Sequence, residues 1–172
     1  MIRTLVLKVA LAAAIILTPA GANAKDNNFK QLSKIDGVEH VHVPKFLISL
    51  AAKNGENLNF GDNISIGDKE GNMLKKIETV DVFTCEKKDG AAKLSQRARS
   101  ILDAEGWEPL VDVKDGDGQR VKIFQTKQGK STTFVVFAEE EDETALVVIK
   151  GKLDIAKLLQ QQMAADEDTD QD

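Results

Sequence analysis

Two runs in the second half of the chain, Phe134-Val135-Val136-Phe137-Ala138 and Ala145-Leu146-Val147-Val148-Ile149, constrain the fold more than any other feature. Read as strands, both are apolar on their two faces. A strand of that kind belongs inside a sheet, with its second face covered, and helices are the simplest cover. Burying one such side chain contributes about 1.5–3 kcal/mol, so the two runs can supply a large share of the core's stability.

They sit in a longer pattern. Glu108–Lys114, Gln119–Lys127, Lys130–Ala138 and Glu143–Lys150 read as four consecutive β-segments. Asp115-Gly116-Asp117-Gly118 and Gln128-Gly129 supply residues that accept positive φ cheaply, so the chain can reverse there. The third connection, Glu139-Glu140-Glu141-Asp142, is acidic enough to stay in water. Val121 and Ile123 alternate with Lys122, which marks a strand with one wet face. The expectation is an antiparallel meander with helices packed on it.

Upstream, Phe29, Leu32 and Ile35 recur at helical spacing within Asn28–Asp36, and Gly37 suits a left-handed cap. Val38–Val43 follows as a short strand, and Pro44 suits the first turn of a helix whose stripe is Phe46, Leu47, Leu50 and Ala51. Glu56–Asn72 is rich in Asn, Gly and Asp and is the least ordered reading, with Ile64 and Ile66 as anchors. Met73–Ile77 fits one helical turn, and Val80–Glu86 is a strand that Asp89-Gly90 closes. Ala91, Leu94, Ala98, Ile101, Leu102 and Glu105 then follow the 3.6 period, with Lys93, Arg97 and Arg99 off the stripe. Asp154 can cap a last helix carrying Ile155, Leu158, Leu159 and Met163. The tail Asp166–Asp172 has nothing apolar to bury. A helix lies between Val38–Val43 and Val80–Glu86, which allows those two strands to be parallel. The simplest architecture is an α+β two-layer sandwich with a mixed, mainly antiparallel sheet.

The first 24 residues read as an address. Arg3 and Lys8 make a basic start, Val9–Leu17 is an unbroken apolar run, and Ala22-Asn23-Ala24 is a small-residue cleavage site. A membrane helix needs about 20 apolar residues, far more than this run has. Cleavage is therefore expected after Ala24, with a periplasmic or secreted product. Removing 24 of 172 residues leaves 148, enough for one domain over residues 25–165 plus the acidic tail. The leader takes two of the 23 basic residues and none of the 28 acidic ones, so a net charge of −5 becomes −7. A chain so acidic, without a clustered basic stretch, is a poor partner for nucleic acid or an anionic membrane. Cys85 stands alone, so no internal disulfide can form. No cysteine lies at the cleavage point to carry a lipid, and no stable membrane anchor is expected.

Several short motifs resemble those of one family. Val41-His42-Val43-Pro44-Lys45-Phe46-Leu47, Val82-Phe83-Thr84-Cys85-Glu86 and Ile149-Lys150-Gly151-Lys152-Leu153-Asp154 are similar to the opening, middle and closing motifs of the DUF4252 family of exported bacterial proteins. The resemblance spans about Phe29 to Met163. It implies an extracytoplasmic α/β domain with no assigned activity and no catalytic residues to carry over. Many of its members are lipoproteins, and this chain departs from them in lacking the lipid-bearing cysteine.

Few residues offer chemistry. His40 and His42 are the only histidines, and on a strand they share a face, so both could meet one metal ion or small ligand. Zinc sites need three or four protein ligands, and no third is visible in the spacing, so the plainer reading is two exposed residues on an edge strand. Lys87 and Lys88 lie near Cys85, as a reactive thiol would require. Its alternation with Phe83 instead places it inside as a small hydrophobe. Asp112, Asp115 and Asp117 suggest calcium, but an EF-hand started at Asp115 would place Arg120 where glycine is required. Ser95 and Ser100 have no histidine close in sequence, and Glu140 and Glu141 sit in a turn. No nucleophile elbow, phosphate-binding glycine loop or Cys-x-x-Cys occurs. The expectation is a non-enzymatic exported protein, without cofactor or metal, that acts through contacts with another envelope protein. The alternative is a small-ligand or metal carrier using the sheet face near His40 and His42.

Overall fold

The computed structural model describes residues 28–54, 58–60, 64–66, 74–114 and 118–153. The expected leader, Asp115 to Asp117, the helix expected from Asp154 and the acidic tail lie outside the described residues, as does most of Glu56–Asn72.

The chain runs through β1 (Glu39–Pro44), α1 (Lys45–Asn54), β2 (Leu58–Phe60), β3 (Ile64–Ile66), β4 (Ile77–Cys85), α2 (Lys88–Leu102), β5 (Glu108–Lys114), β6 (Arg120–Gln128), β7 (Ser131–Glu139) and β8 (Thr144–Gly151). Six strands form one antiparallel sheet in the order β1-β4-β8-β7-β6-β5, and β2 and β3 pair separately. The last four strands are the expected meander, and each begins within one residue of the position read from the sequence.

The doubly apolar strands lie at the middle of the sheet, where their sequence requires. Each divides its side chains between two cores. On one face Val80, Val82, Phe134, Val147 and Ile149 pack with Ile48 and Ala52 of α1 and with Leu74. On the other, Phe83, Val135, Phe137, Leu146 and Val148 pack with Ala91, Leu94, Ala98 and Leu102 of α2. The α+β class and the meander are as expected, but with a helix on each face of the sheet the layers number three, not two, because both faces of the central strands are apolar and each needs its own cover. Phe29 and Leu32 join the α2 core from a helical turn at residues 28–30 that tightens into a 3₁₀ turn, Gln31–Lys34. Phe29 meets Trp107 edge to face at 5.7 Å, which ties this turn to the chain beyond α2.

Four local readings are corrected. β1 pairs antiparallel, not parallel, with β4, and Pro44 at the end of β1 faces Thr79 near the start of β4. The connection therefore leaves and re-enters at one end of the sheet, since it holds a helix and further segments instead of a single crossover helix. Pro44 is the last paired residue of β1, tolerated there because an edge strand does not need its missing N–H. α2 begins at Lys88 and runs through Gly90 rather than starting after it. A side chain at Gly90 would bring Cβ to 2.6 Å from Cys85 Sγ and 2.7 Å from the Asp36 carbonyl oxygen, so this glycine serves close packing. At its other end α2 stops at Leu102, which leaves Glu105 outside it and exposed. Gly37 has φ +83°, the left-handed conformation expected of it.

Candidate functional site

Antiparallel pairing of β1 with β4 sets His42 opposite Asp81 and His40 opposite Phe83. Side chains directly across a ladder share a face, so the two imidazoles and the carboxylate gather at the edge of the sheet. Asp81 Oδ1 accepts hydrogen bonds from His40 Nε2 and His42 Nδ1, both at 2.8 Å. The His40 ring also lies flat on Phe83, with centroids 4.3 Å apart. Asp81 is about one quarter exposed at its side chain, and His42 somewhat more. Burial would push the Asp81 carboxyl up, but the hydrogen bonds and charge of His40 and His42 outweigh it and hold the group below its usual range.

An ionised carboxylate only accepts, so His40 Nε2 and His42 Nδ1 each carry the shared proton. Neither nitrogen then has a lone pair to offer on that side. The remaining ring nitrogens lie across their rings from Asp81. Among the described residues no group of three or more His, Cys, Asp and Glu is placed to hold a metal ion. The cluster instead clips edge strand β1 to β4. The third member was missed because it lies 39 residues from His42. Its one signal was a charged residue set between the apolar Val80 and Val82.

The other candidates are also engaged in structure. Ser95 Oγ donates to Glu139 Oε1, and Arg99 donates to both Glu139 oxygens, through Nη2 at 2.7 and 2.8 Å. Thr144 Oγ1 donates to the Ala91 carbonyl at 3.1 Å. These bonds fasten α2 to the ends of β7 and β8. Ser100 Oγ donates to the Gln96 carbonyl within its own helix. The Asp112 carboxylate takes a fork from Arg120 (Nε 2.8 Å, Nη2 2.7 Å), which holds its pKa down and occupies both oxygens. Cys85 is buried beside Phe83, as its alternation requires, with Sγ 3.6 Å from the Lys87 carbonyl. Glu140 accepts from Gln119 Nε2 at 2.7 Å.

The surface offers two features that the sequence reading did not isolate. Phe46 and Leu50, one helical turn apart on α1, are 63% and 55% exposed, with Lys45, Ser49 and Lys53 around a shallow hollow of about 480 Å³. The apolar stripe read from the sequence puts Phe46 and Leu50 on the buried side of this helix, whereas Ile48 and Ala52 are the residues buried there. The second is a basic cleft of about 580 Å³ between the Gln31–Lys34 turn and α2. No helix among the described residues is long and apolar enough to cross a membrane.

These features define a small α+β domain whose polar clusters bind its own elements together. The chain matches the family model described as a domain of unknown function, DUF4252, over residues 27–160, and it belongs to that family. No curated protein and no solved structure matches it.

Proposed function

We propose that the protein is an exported, non-enzymatic component of the cell envelope that works by holding a partner protein against the outer face of α1. The exposed pair Phe46 and Leu50 carries this reading. Large apolar side chains grouped on one surface favour association, since burial of each is worth about 1.5–3 kcal/mol. Lys45 and Lys53 flank the pair and have no ion-pair partner among the described residues, so the matching surface is apolar at its centre and ringed by carboxylates. Export is supported by the leader pattern of residues 1–24, with Lys25 as the first mature residue. A non-enzymatic role is supported by the engagement of His40, His42, Ser95 and Asp112 in bonds within the fold.

The test is site-specific photo-crosslinking in cells, with the reactive group placed in turn at positions 46, 50 and 113. Position 113 is a control, because Val113 is equally exposed but lies on β5. One partner protein should crosslink from 46 and 50 and not from 113, and Lys45→Glu/Lys53→Glu should abolish it. Equal capture from all three positions, or capture only of a second copy of this chain, would refute the reading. Fractionation with N-terminal sequencing tests export separately.

A further inference from the structure

The basic cleft between the Gln31–Lys34 turn and α2 lies on the face of the sheet opposite α1. Its turn side is formed by Lys34, Ile35 and Asp36, and its helix side by Lys93, Gln96 and Arg97. The geometry follows from how α2 packs. Ala91, Leu94 and Ala98 face the sheet, so Lys93 and Arg97, one turn apart, come out together on the flank next to the turn. Lys34 reaches the same hollow from the other wall, above the half-buried Ile35.

The charge balance is unusual for this chain. Acidic residues outnumber basic ones by 28 to 23 over the whole chain, yet basic side chains prevail in this cleft. Of the three described arginines, Arg99 and Arg120 are paired, and Arg97 is not. Lys34 and Lys93 likewise have no ion-pair partner among the described residues. Three cations face the cleft against the single carboxylate of Asp36, which leaves two positive charges in a concave site. Its volume lies within the range of small-ligand sites.

We infer that this cleft binds a phosphate-bearing ligand. A carboxylate carries one charge, whereas a phosphomonoester near neutral pH carries about 1.5 to 2, which matches the two unbalanced cations. The flat guanidinium of Arg97 suits a fork onto two phosphate oxygens, Lys34 and Lys93 act as point charges, and the Gln96 amide can donate one further bond. A soluble molecule and a lipid headgroup present the same phosphate chemistry to the cleft, and the two arms of the experiment tell them apart.

The experiment titrates the full chain in low salt with inorganic pyrophosphate, by calorimetry. In parallel it measures co-sedimentation with phosphatidylcholine vesicles that contain, or lack, phosphatidate. Saturable binding is expected in at least one arm: pyrophosphate alone identifies a soluble source, phosphatidate vesicles alone a headgroup. Arg97→Gln, and separately Lys34→Gln/Lys93→Gln, should weaken it about tenfold or more, the scale of losing charge-assisted hydrogen bonds. All three side chains are exposed, so the variants should fold, and circular dichroism checks this. Lys130→Gln, in the hairpin between β6 and β7, removes the same charge elsewhere and should change nothing. Absence of binding in both arms, or equal weakening by Lys130→Gln, would overturn the proposal.

Discussion

The two helices lie on opposite faces of one sheet and are held in different ways. α2 buries Ala91, Leu94, Ala98 and Leu102 and is also fastened by Ser95 and Arg99 to Glu139, and by Thr144 to its first turn. α1 is shorter, buries only Ile48 and Ala52, and turns Phe46 and Leu50 outward. A helix whose large apolar residues all served the core would not place two of them at more than half exposure. The contrast indicates that α2 is structural along its inner face, while α1 divides its apolar side chains between the core and an outer surface.

The most severe way to test the α2 half is through its buried stripe. Leu94 is fully buried between α2 and the sheet, so Leu94→Ala should cost about 3 kcal/mol in urea unfolding, within the range for cavity-forming truncations. A loss under about 1 kcal/mol would mean that α2 is not a firm part of the core. Next in size is the polar fastening. Arg99→Ala leaves the buried Glu139 carboxylate without its charged partner and should cost about 2 kcal/mol, less than a fully buried pair because the guanidinium is half exposed. Adding Glu139→Gln should restore part of the loss. A double variant worse than Arg99→Ala alone would show that Glu139 serves another role.

The sheet edge at β1 has a smaller, pH-dependent contribution. The Asp81 pKa is held below its ordinary value of 3.8 in the folded chain. A depressed carboxyl stabilises the fold above the unfolded pKa and loses that contribution as pH falls through the folded one. Stability should therefore decline from just above pH 4 downward through a component that Asp81→Asn removes. At pH 7 the substitution should cost about 1 to 2 kcal/mol, from the loss of charge in two hydrogen bonds. Unfolding curves from pH 2 to 6 for both proteins decide this; parallel profiles would show that the clip to His40 and His42 carries no energy.

How much of this was legible in the sequence depended on how local the cause was. The meander and α2 were readable because a period of two or 3.6 is written in neighbouring residues, as in Phe134 to Phe137 or Ala91, Leu94 and Ala98. The β1–β4 direction was not, because it depends on where a long connection re-enters the sheet. Asp81 was missed for the same reason: its partnership with His40 and His42 exists only once the two strands pair antiparallel. The α1 stripe was misread because Phe46, Leu47, Leu50 and Ala51 look as apolar as any buried face. Periodicity locates an apolar side but does not say whether the sheet or another molecule covers it.

The smallest expected stability effect therefore separates the two helices most sharply. Phe46→Ala and Leu50→Ala remove large apolar side chains, yet each is already mostly in water, so folding loses little burial. Each should change unfolding free energy by less than about 0.5 kcal/mol, the usual range for surface substitutions. The same variants should strongly reduce crosslinking of the partner in cells, because the area they remove is area the complex would bury. A thermal or urea unfolding curve and a crosslinking assay on the same preparations give both numbers. A loss of 2 kcal/mol or more would place these side chains in the core of the fold, and α1 would then be a structural helix like α2. Intact stability with intact crosslinking would leave the outer face of α1 without a role in binding.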